Sequence, residues 1–573
     1  MAKLKLQDLL YSLPQDQIVD IIGKDIVELM KEWGESYLNK NSLVNMAAAL
    51  KGRQIFEDTT SREYVLRACL TPGKIISLGK ELEIKKDDIE EIILKCRNFR
   101  WQDFGFARYV IKHLDISEEY LPQEQVKEDE REEFPPYDRF YELLDYQFLI
   151  KTSLLSWLTS RDLAKCLIHM PTGSGKTKTC THSIIEYWNF IEGNEGIILW
   201  LAHTEELLRQ ALFTFKQCWK HLGAKSAIIH KFWGDFNLSI DYSKSNVIFA
   251  SIQKFINFQK SNPKLFDKIR KNLCLVIVDE AHKTCAKETS KLIEILMLKL
   301  EGFRNRCLIG LSATPGRSFS DIDENKKLAN MFDEKIISVS VTDLLRIRKE
   351  KSKYESFDDT PEIVPYLQNR NILATFKREV IEISESESNL TDVEKKQARR
   401  EMTSSADKVD LSYKILSKLA YNHQRNKKIL NKLIKLHEER MPVLLFACTV
   451  DHAKMLTAAL QLRKIPAACV LGETRPLDRK NVIDNFLDPS NELKILVNYE
   501  VLATGFDAPN IKCVFITRPT HSIVLYSQMI GRGLRGPKMG GNEKCLLVDV
   551  EDNILKFSNE SLAFNYFKSY WRN

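Results

Sequence analysis

Two series of short apolar runs constrain what this chain can fold into more than any other feature. Each run closes on a glycine, a hydroxyl or an acidic residue, and stretches with helical spacing separate them. The first series is CLIHMPTG, GIILWLAHT, NVIFASIQ, LCLVIVDE and CLIGLSATP; the second is PVLLFACTV, AACVLGET, KILVNYE, CVFITRP and KCLLVDVED. Runs without polar alternation are what strands buried on both faces require, and their alternation with helices implies parallel, doubly wound sheets. The fold class expected is therefore α/β, with two such lobes in one chain.

The intervening segments set the boundaries. Residues 1–117 carry helical apolar spacing, as in DDIEEIILKC and FARYVIKHL, and read as a helical N-terminal adaptor domain. An acidic stretch ending in Pro135-Pro136 reads as a linker over 118–137. The first lobe then covers 138–316 and the second 440–573, with 317–439 as a helical extension and connector. Within the front domain, CRNFRWQDFGFARY interleaves arginines with aromatics, which suits either base stacking or core packing with snorkelling arginines; core packing is preferred.

Charge separates front from body. Residues 1–135 hold 20 Lys+Arg against 26 Asp+Glu, a net of −6, while the remainder holds 65 against 52, a net of +13. A basic body suits a polyanionic partner. The acidic front does not, and a protein partner through residues 1–117 fits it better. No run of about 18 apolar residues exists, so no membrane partner is expected. The 12 cysteines include no CxxC pair, so neither a zinc site nor a disulfide framework is expected, and a cytoplasmic location is.

The chemistry concentrates at the ends of the apolar runs. MPTGSGKT follows an apolar strand and opens a helix, the context of a phosphate-gripping loop. Pro171, Thr172, Gly173, Ser174, Gly175, Lys176 and Thr177 would cradle the phosphates of ATP. In that cradle Lys176 neutralises oxygens and Thr177 binds Mg²⁺ through its hydroxyl. Met170 stands where the usual pattern has its first glycine. In LVIVDEAH, 103 residues after Lys176, two carboxylates end a buried strand, which is costly unless a cation or proton chemistry uses them. Asp279 would complete the Mg²⁺ shell and Glu280 would act as general base. In QMIGRGLRG, Arg532 and Arg535 are spaced to share a helix face and to reach a γ-phosphate from the second lobe.

Taken in order, MPTGSGKT, DEAH, LSATP and QMIGRGLR resemble motifs I, II, III and VI of superfamily 2 helicases. LAHTEELLRQ, ASIQKF, FACTVDHA and VLATGFDAPN resemble the intermediate motifs, so the resemblance covers roughly residues 138–573. It implies two RecA-like lobes with ATP between them and nucleic acid across both. It further implies that Thr204, Ser251, Thr449 and Thr504 contact the nucleic-acid backbone, and that Gly505 and Asp507 face the nucleotide. Ser312, Thr314 and Gln528 would relay closure between the sites, and Gln147, 29 residues before Lys176, would read the adenine edge. The form of QMIGRGLR and of LVNYEVLATGFDAP is similar to restriction-enzyme motors and bacterial DNA-repair helicases. That similarity favours DNA over RNA, and an ATP-dependent helicase or translocase in repair, restriction or antiviral defence. The alternatives are an RNA helicase, and a nucleic-acid-gated ATPase switch that recruits an effector through its N-terminal domain.

Overall fold

The expected alternation produces two sheets in the computed structural model. It describes residues 3–24, 27, 38–84, 88–122, 131–134, 142–160, 163–190, 195–299, 306–316, 322–341, 343–344, 362–383, 391, 393–394, 412–503, 510–520, 522–550 and 570. The first sheet has eight strands in the order β1-β4-β5-β3-β6-β7-β2-β8. These are β1 (Arg131–Phe134), β2 (Lys165–His169), β3 (Ile197–Ala202), β4 (Ala227–Phe232), β5 (Ser245–Ser251), β6 (Leu273–Asp279), β7 (Cys307–Ser312) and β8 (Ile336–Ser338). All neighbours pair in parallel except β1, which runs antiparallel to β4. The second sheet is parallel, in the order β11-β12-β10-β13-β14-β9. It is built from β9 (Thr375–Ile381), β10 (Val443–Phe446), β11 (Ala467–Val470), β12 (Ile495–Asn498), β13 (Cys513–Ile516) and β14 (Lys544–Val550).

Parallel strands place their C-terminal ends on one edge, so the loops that follow β2, β6 and β7 lie side by side. His169 pairs with Ser312, and Asp279 with Leu311. Ligand sites in doubly wound sheets form along that edge.

Two segments differ from the sequence reading. The stretch read as a linker contributes β1 to an edge of the first sheet. The stretch read as connector gives β8 to the first sheet and β9 to the second. Between these two strands, the helix Ile363–Asn369 buries Val364, Tyr366 and Leu367 in the first lobe's core. An edge strand needs only a partner, and a run such as TFKREVI carries no buried-strand signature of its own.

The front of the chain is helical, and Trp101 stacks on Phe56 at 5.2 Å in its core. Within the aromatic–arginine segment Trp101 and Phe106 are buried, while Arg97 pairs with Glu63 and the exposed Arg108 lies over the Phe104 ring, so the aromatics are core and the arginines lie at its edge. The cation buried beneath Trp101 and Phe106 is Arg62, from another helix. The domain docks on the second lobe. Its helix Lys40–Lys51 packs against Val450–Leu462, and Ala458 belongs to its apolar cluster. Arg53 pairs with Asp478, and Glu57 with Arg475, across the junction. All 12 cysteines are free thiols, and among the described residues no helix is long and apolar enough to cross a membrane.

Candidate active site

The loop after β2 shows why glycine is needed at two of its positions. Gly173 and Gly175 have φ of +80° and +82°, a conformation that L side chains rarely adopt. A Cβ on Gly175 would also stand 2.3 Å from the Gln147 amide nitrogen. Ser174 is buried and turns its hydroxyl back to Pro171 O at 2.7 Å, tightening the loop on itself. Lys176 and Thr177 begin the helix Lys176–Phe190, where the dipole is positive. Met170 causes no strain: its φ is ordinary, its N–H reaches Ser312 O at 3.4 Å, and its side chain fills the core beneath the loop.

Gln147 lies under this loop rather than open to a base. Its Nε2 donates to Ser174 O at 3.0 Å, and its Oε1 accepts from Leu144 N at 2.9 Å. Tyr146 also donates to Ser174 O at 2.5 Å. In this conformation the amide braces the phosphate loop.

The two carboxylates after β6 sit in a buried, electrically crowded place. Asp279 accepts from Glu280 N at 2.9 Å. Burial and the neighbouring Glu280 charge push Asp279 up, to about 7, while Lys176 opposes the rise. Burial alone would raise Glu280 as well, but the positive charges around it, Lys176 foremost and then Lys283 and Arg532, hold it below its ordinary value. Glu280 adopts a left-handed backbone, φ 51° and ψ 52°, a strained choice for a β-carbon residue that turns the chain sharply at the strand end. His282 is kept neutral by burial, its pKa near 4 despite Glu280. Its Nδ1 lies 3.3 Å from both Ser312 Oγ and Glu280 Oε2, and its Nε2 lies 3.5 Å from the Gln528 amide of the second lobe. Ser312 Oγ donates to Thr314 O and accepts from Thr314 N, so the SATP turn is bonded into the same chain. The structure thus connects Gln528, His282, Ser312, Thr314 and Glu280.

The arginines are positioned differently from the sequence expectation. The helix Ile523–Ile530 stops before them: Arg532 lies in the following turn, and Arg535 forms a β-bridge with Leu373. Gly531 and Gly533 end the helix because they allow close approach. A Cβ on Gly531 would stand 2.6 Å from Thr172 Cγ2 of the first lobe, and one on Gly533 would stand 2.5 Å from Cys545 Sγ. Gly173 faces Arg535 Cγ across the cleft, at 3.3 Å from where its own Cβ would be. The loop is also pinned to the segment that follows the helix Ile363–Asn369. Ala374 N donates to Leu534 O, Gly536 N to Ile372 O, and Lys538 N to Asn371 O, at 2.8, 3.0 and 2.9 Å. That pinning was not legible in the sequence.

The hydroxyls expected on nucleic acid occupy strand ends. Thr204 caps the helix Glu205–Leu222, Ser251 precedes Ile252–Ser261, and Thr449 caps Val450–Leu462. Ser251 ends β5 and Thr204 follows the end of the neighbouring β3 by two residues; both are half-buried. Thr449 is buried, and its hydroxyl accepts from His452 N at 3.1 Å. Thr504, Gly505 and Asp507 lie outside the described residues. Sequence reasoning missed the interlobe pair of Arg479 with Glu206, two residues beyond Thr204.

Residues 140–317 match the family of the Type III restriction enzyme res subunit, and residues 425–536 match the helicase conserved C-terminal domain. The chain carries both halves of a superfamily 2 helicase core of the restriction-enzyme motor type. It is 27% identical over 374 residues to IRC3 of Saccharomyces cerevisiae, assigned as an ATP-dependent helicase; the match covers 64% of this chain and 46% of that one. It is 22% identical over 416 residues to the type I restriction enzyme EcoAI endonuclease subunit of Escherichia coli, covering 69% and 44%. Against a solved fragment of an HsdR subunit of a type I restriction enzyme from Vibrio vulnificus YJ016 the TM-score is 0.46 at 19% identity, covering 72% and 65%. The chain spans about half the length of its two fungal relatives.

Proposed function

We propose that this chain is an ATP-dependent DNA motor, a helicase or translocase that hydrolyses ATP between its lobes as it moves on DNA. The observation that carries the reading is the seating of Gly531, Arg532 and Arg535 of one lobe against the phosphate loop and Glu280 of the other. Two positive-φ glycines, a lysine and a threonine at a helix start fit a triphosphate. Thr177 at the helix start and Asp279 at the end of β6 offer one hydroxyl and one carboxylate, so an ion held between them would share phosphate oxygens. Thr177 and Asp279 would hold Mg²⁺ there, and the ion would supply charge neutralisation on those oxygens.

The chain's own groups do the rest. Lys176 draws the phosphates in, and Glu280, kept ionised by the cations around it, takes the proton of the attacking water. Arg532 and Arg535 bring positive charge from the second lobe, so hydrolysis depends on closure. Gln528, through His282, conveys that closure to the SATP turn and Glu280. Thr204 and Ser251 offer phosphate contacts without base readout, which suits a motor that must move.

DNA is favoured over RNA by the restriction-enzyme family match, and a role in restriction, repair or antiviral defence follows that branch. The acidic front domain, docked on the second lobe, suits a protein partner that senses closure. Steady-state ATP hydrolysis with no polymer, single-stranded DNA, duplex DNA and single-stranded RNA tests the reading beside Glu280→Gln. Stimulation by DNA is expected; stimulation by RNA alone would overturn the choice of polymer, and equal turnover in all four would indicate a switch awaiting its partner.

A further inference from the structure

We infer that the helix Tyr413–Ala420 is a base-stacking platform for single-stranded DNA, an inference that rests on the DNA reading above. Its inner face, Ile415, Leu416, Leu419 and Ala420, packs with Cys448. Its outer face is different in kind: Tyr413, Ser417 and Tyr421 recur at i, i+4 and i+8, with Lys414 and Lys418 in the next row. These five residues line a shallow, open cavity of about 680 Å³. Tyr413 is 65% exposed and Tyr421 36%. Large rings left in water beside ammonium groups are costly for a purely structural surface, and are what a stacked base with its phosphate requires. Lys418 pairs with Glu394, while no ion pair holds Lys414 among the described residues. The tyrosines are about 12 Å apart along the helix axis, so each ring addresses its own base.

The platform is rigidly tied to the strand end that carries Thr449. Asn426 Nδ2 donates to Ala420 O at 2.7 Å, and the neutral His452 donates from Nε2 to Asn426 Oδ1 at 3.0 Å. His452 N in turn donates to the Thr449 hydroxyl at 3.1 Å.

The test is fluorescence anisotropy with the full chain and a labelled oligothymidylate of roughly 12 nucleotides, beside the same strand with abasic central positions. Tyr413→Ala is expected to weaken binding of the intact strand about fivefold to a hundredfold, with a smaller loss for Tyr421→Ala. Tyr413→Phe should bind like the wild type, and the abasic strand should not distinguish the variants. Lys414→Gln should lower the salt slope by about 1. Equal binding of the intact strand by Tyr413→Ala and wild type would overturn the platform alone and leave this face to a protein. If the wild type binds no DNA in any nucleotide state, the DNA reading itself fails.

Discussion

The chemistry of the cleft turns on two adjacent carboxylates that burial and charge have driven apart. Glu280→Gln keeps the size of the side chain and removes its basicity, so kcat for ATP should fall by about 10²–10⁴-fold with nucleotide binding retained. Lys176→Ala should instead lose binding, read as weakened fluorescent-nucleotide affinity. Asp279 carries a stability signature as well. Its folded-state pKa is raised above the unfolded value, because burial and Glu280 disfavour its charge. The folded protein then binds the extra proton between the two values, so its contribution is full below the ordinary carboxylate range and is lost as pH rises through about 7. Nucleotide-free Asp279→Asn should therefore lose less Tm than the wild type between about pH 5 and pH 8. An equal slope would place the extra proton elsewhere. At this scale the sequence was informative where one short run carries both strand and chemistry, as from His169 to Thr177 or Leu275 to His282. It was silent on Gln147, whose amide partners come from tertiary placement: a loop carbonyl 27 residues away decides them.

Among the elements, the loop after the helix Ile523–Ile530 shows how closely glycine spacing ties motif to mechanics. Gly531 has φ −55°, which alanine adopts freely, so its dihedrals do not require glycine. The added methyl would instead stand 2.6 Å from Thr172 Cγ2 of the opposite lobe and 2.8 Å from Ser527 O of its own helix. Gly531→Ala should fold normally yet resist closure, since overpacking costs about 1–3 kcal/mol. Stimulated turnover should drop roughly tenfold to a hundredfold, with Thr172→Ser restoring part of it in the double variant. An unchanged rate would mean that the lobes do not meet here during turnover. The sequence spacing suggested one continuous helix through Arg535, and propensity gave no reason to doubt it. The two glycines end the helix for reasons of contact with Thr172, Cys545 and Val514, which no local pattern reveals. β1 and β9 escaped for the same reason, as edge strands completed by β4 and β14. The doubly buried strands, by contrast, were legible because each must be apolar on both faces.

On the scale of the whole molecule, the front domain is joined to both lobes, to the second by docking and to the first by the chain. The front domain is fixed to the second lobe by Ala458, by Arg53 with Asp478 and by Glu57 with Arg475. The chain then returns to the first lobe through β1, paired on the edge of β4. Leu121 and Arg131 are ten residues apart, so the return path spans at most about 35 Å. Any opening of the lobes must therefore keep β1 within that reach of the docked domain, or release one of the two attachments. Ala458→Asp discriminates between a fixed and a loosely held domain. The added carboxylate would lie in an apolar cluster without a partner, at a cost of several kcal/mol, and the site can escape it only by undocking. Denaturant unfolding should change from one transition to two, and protease should cut between residues 1–117 and the lobes much faster than in the wild type. A single, merely shifted transition would mean that the front domain folds as one unit with the second lobe and transmits its motion directly.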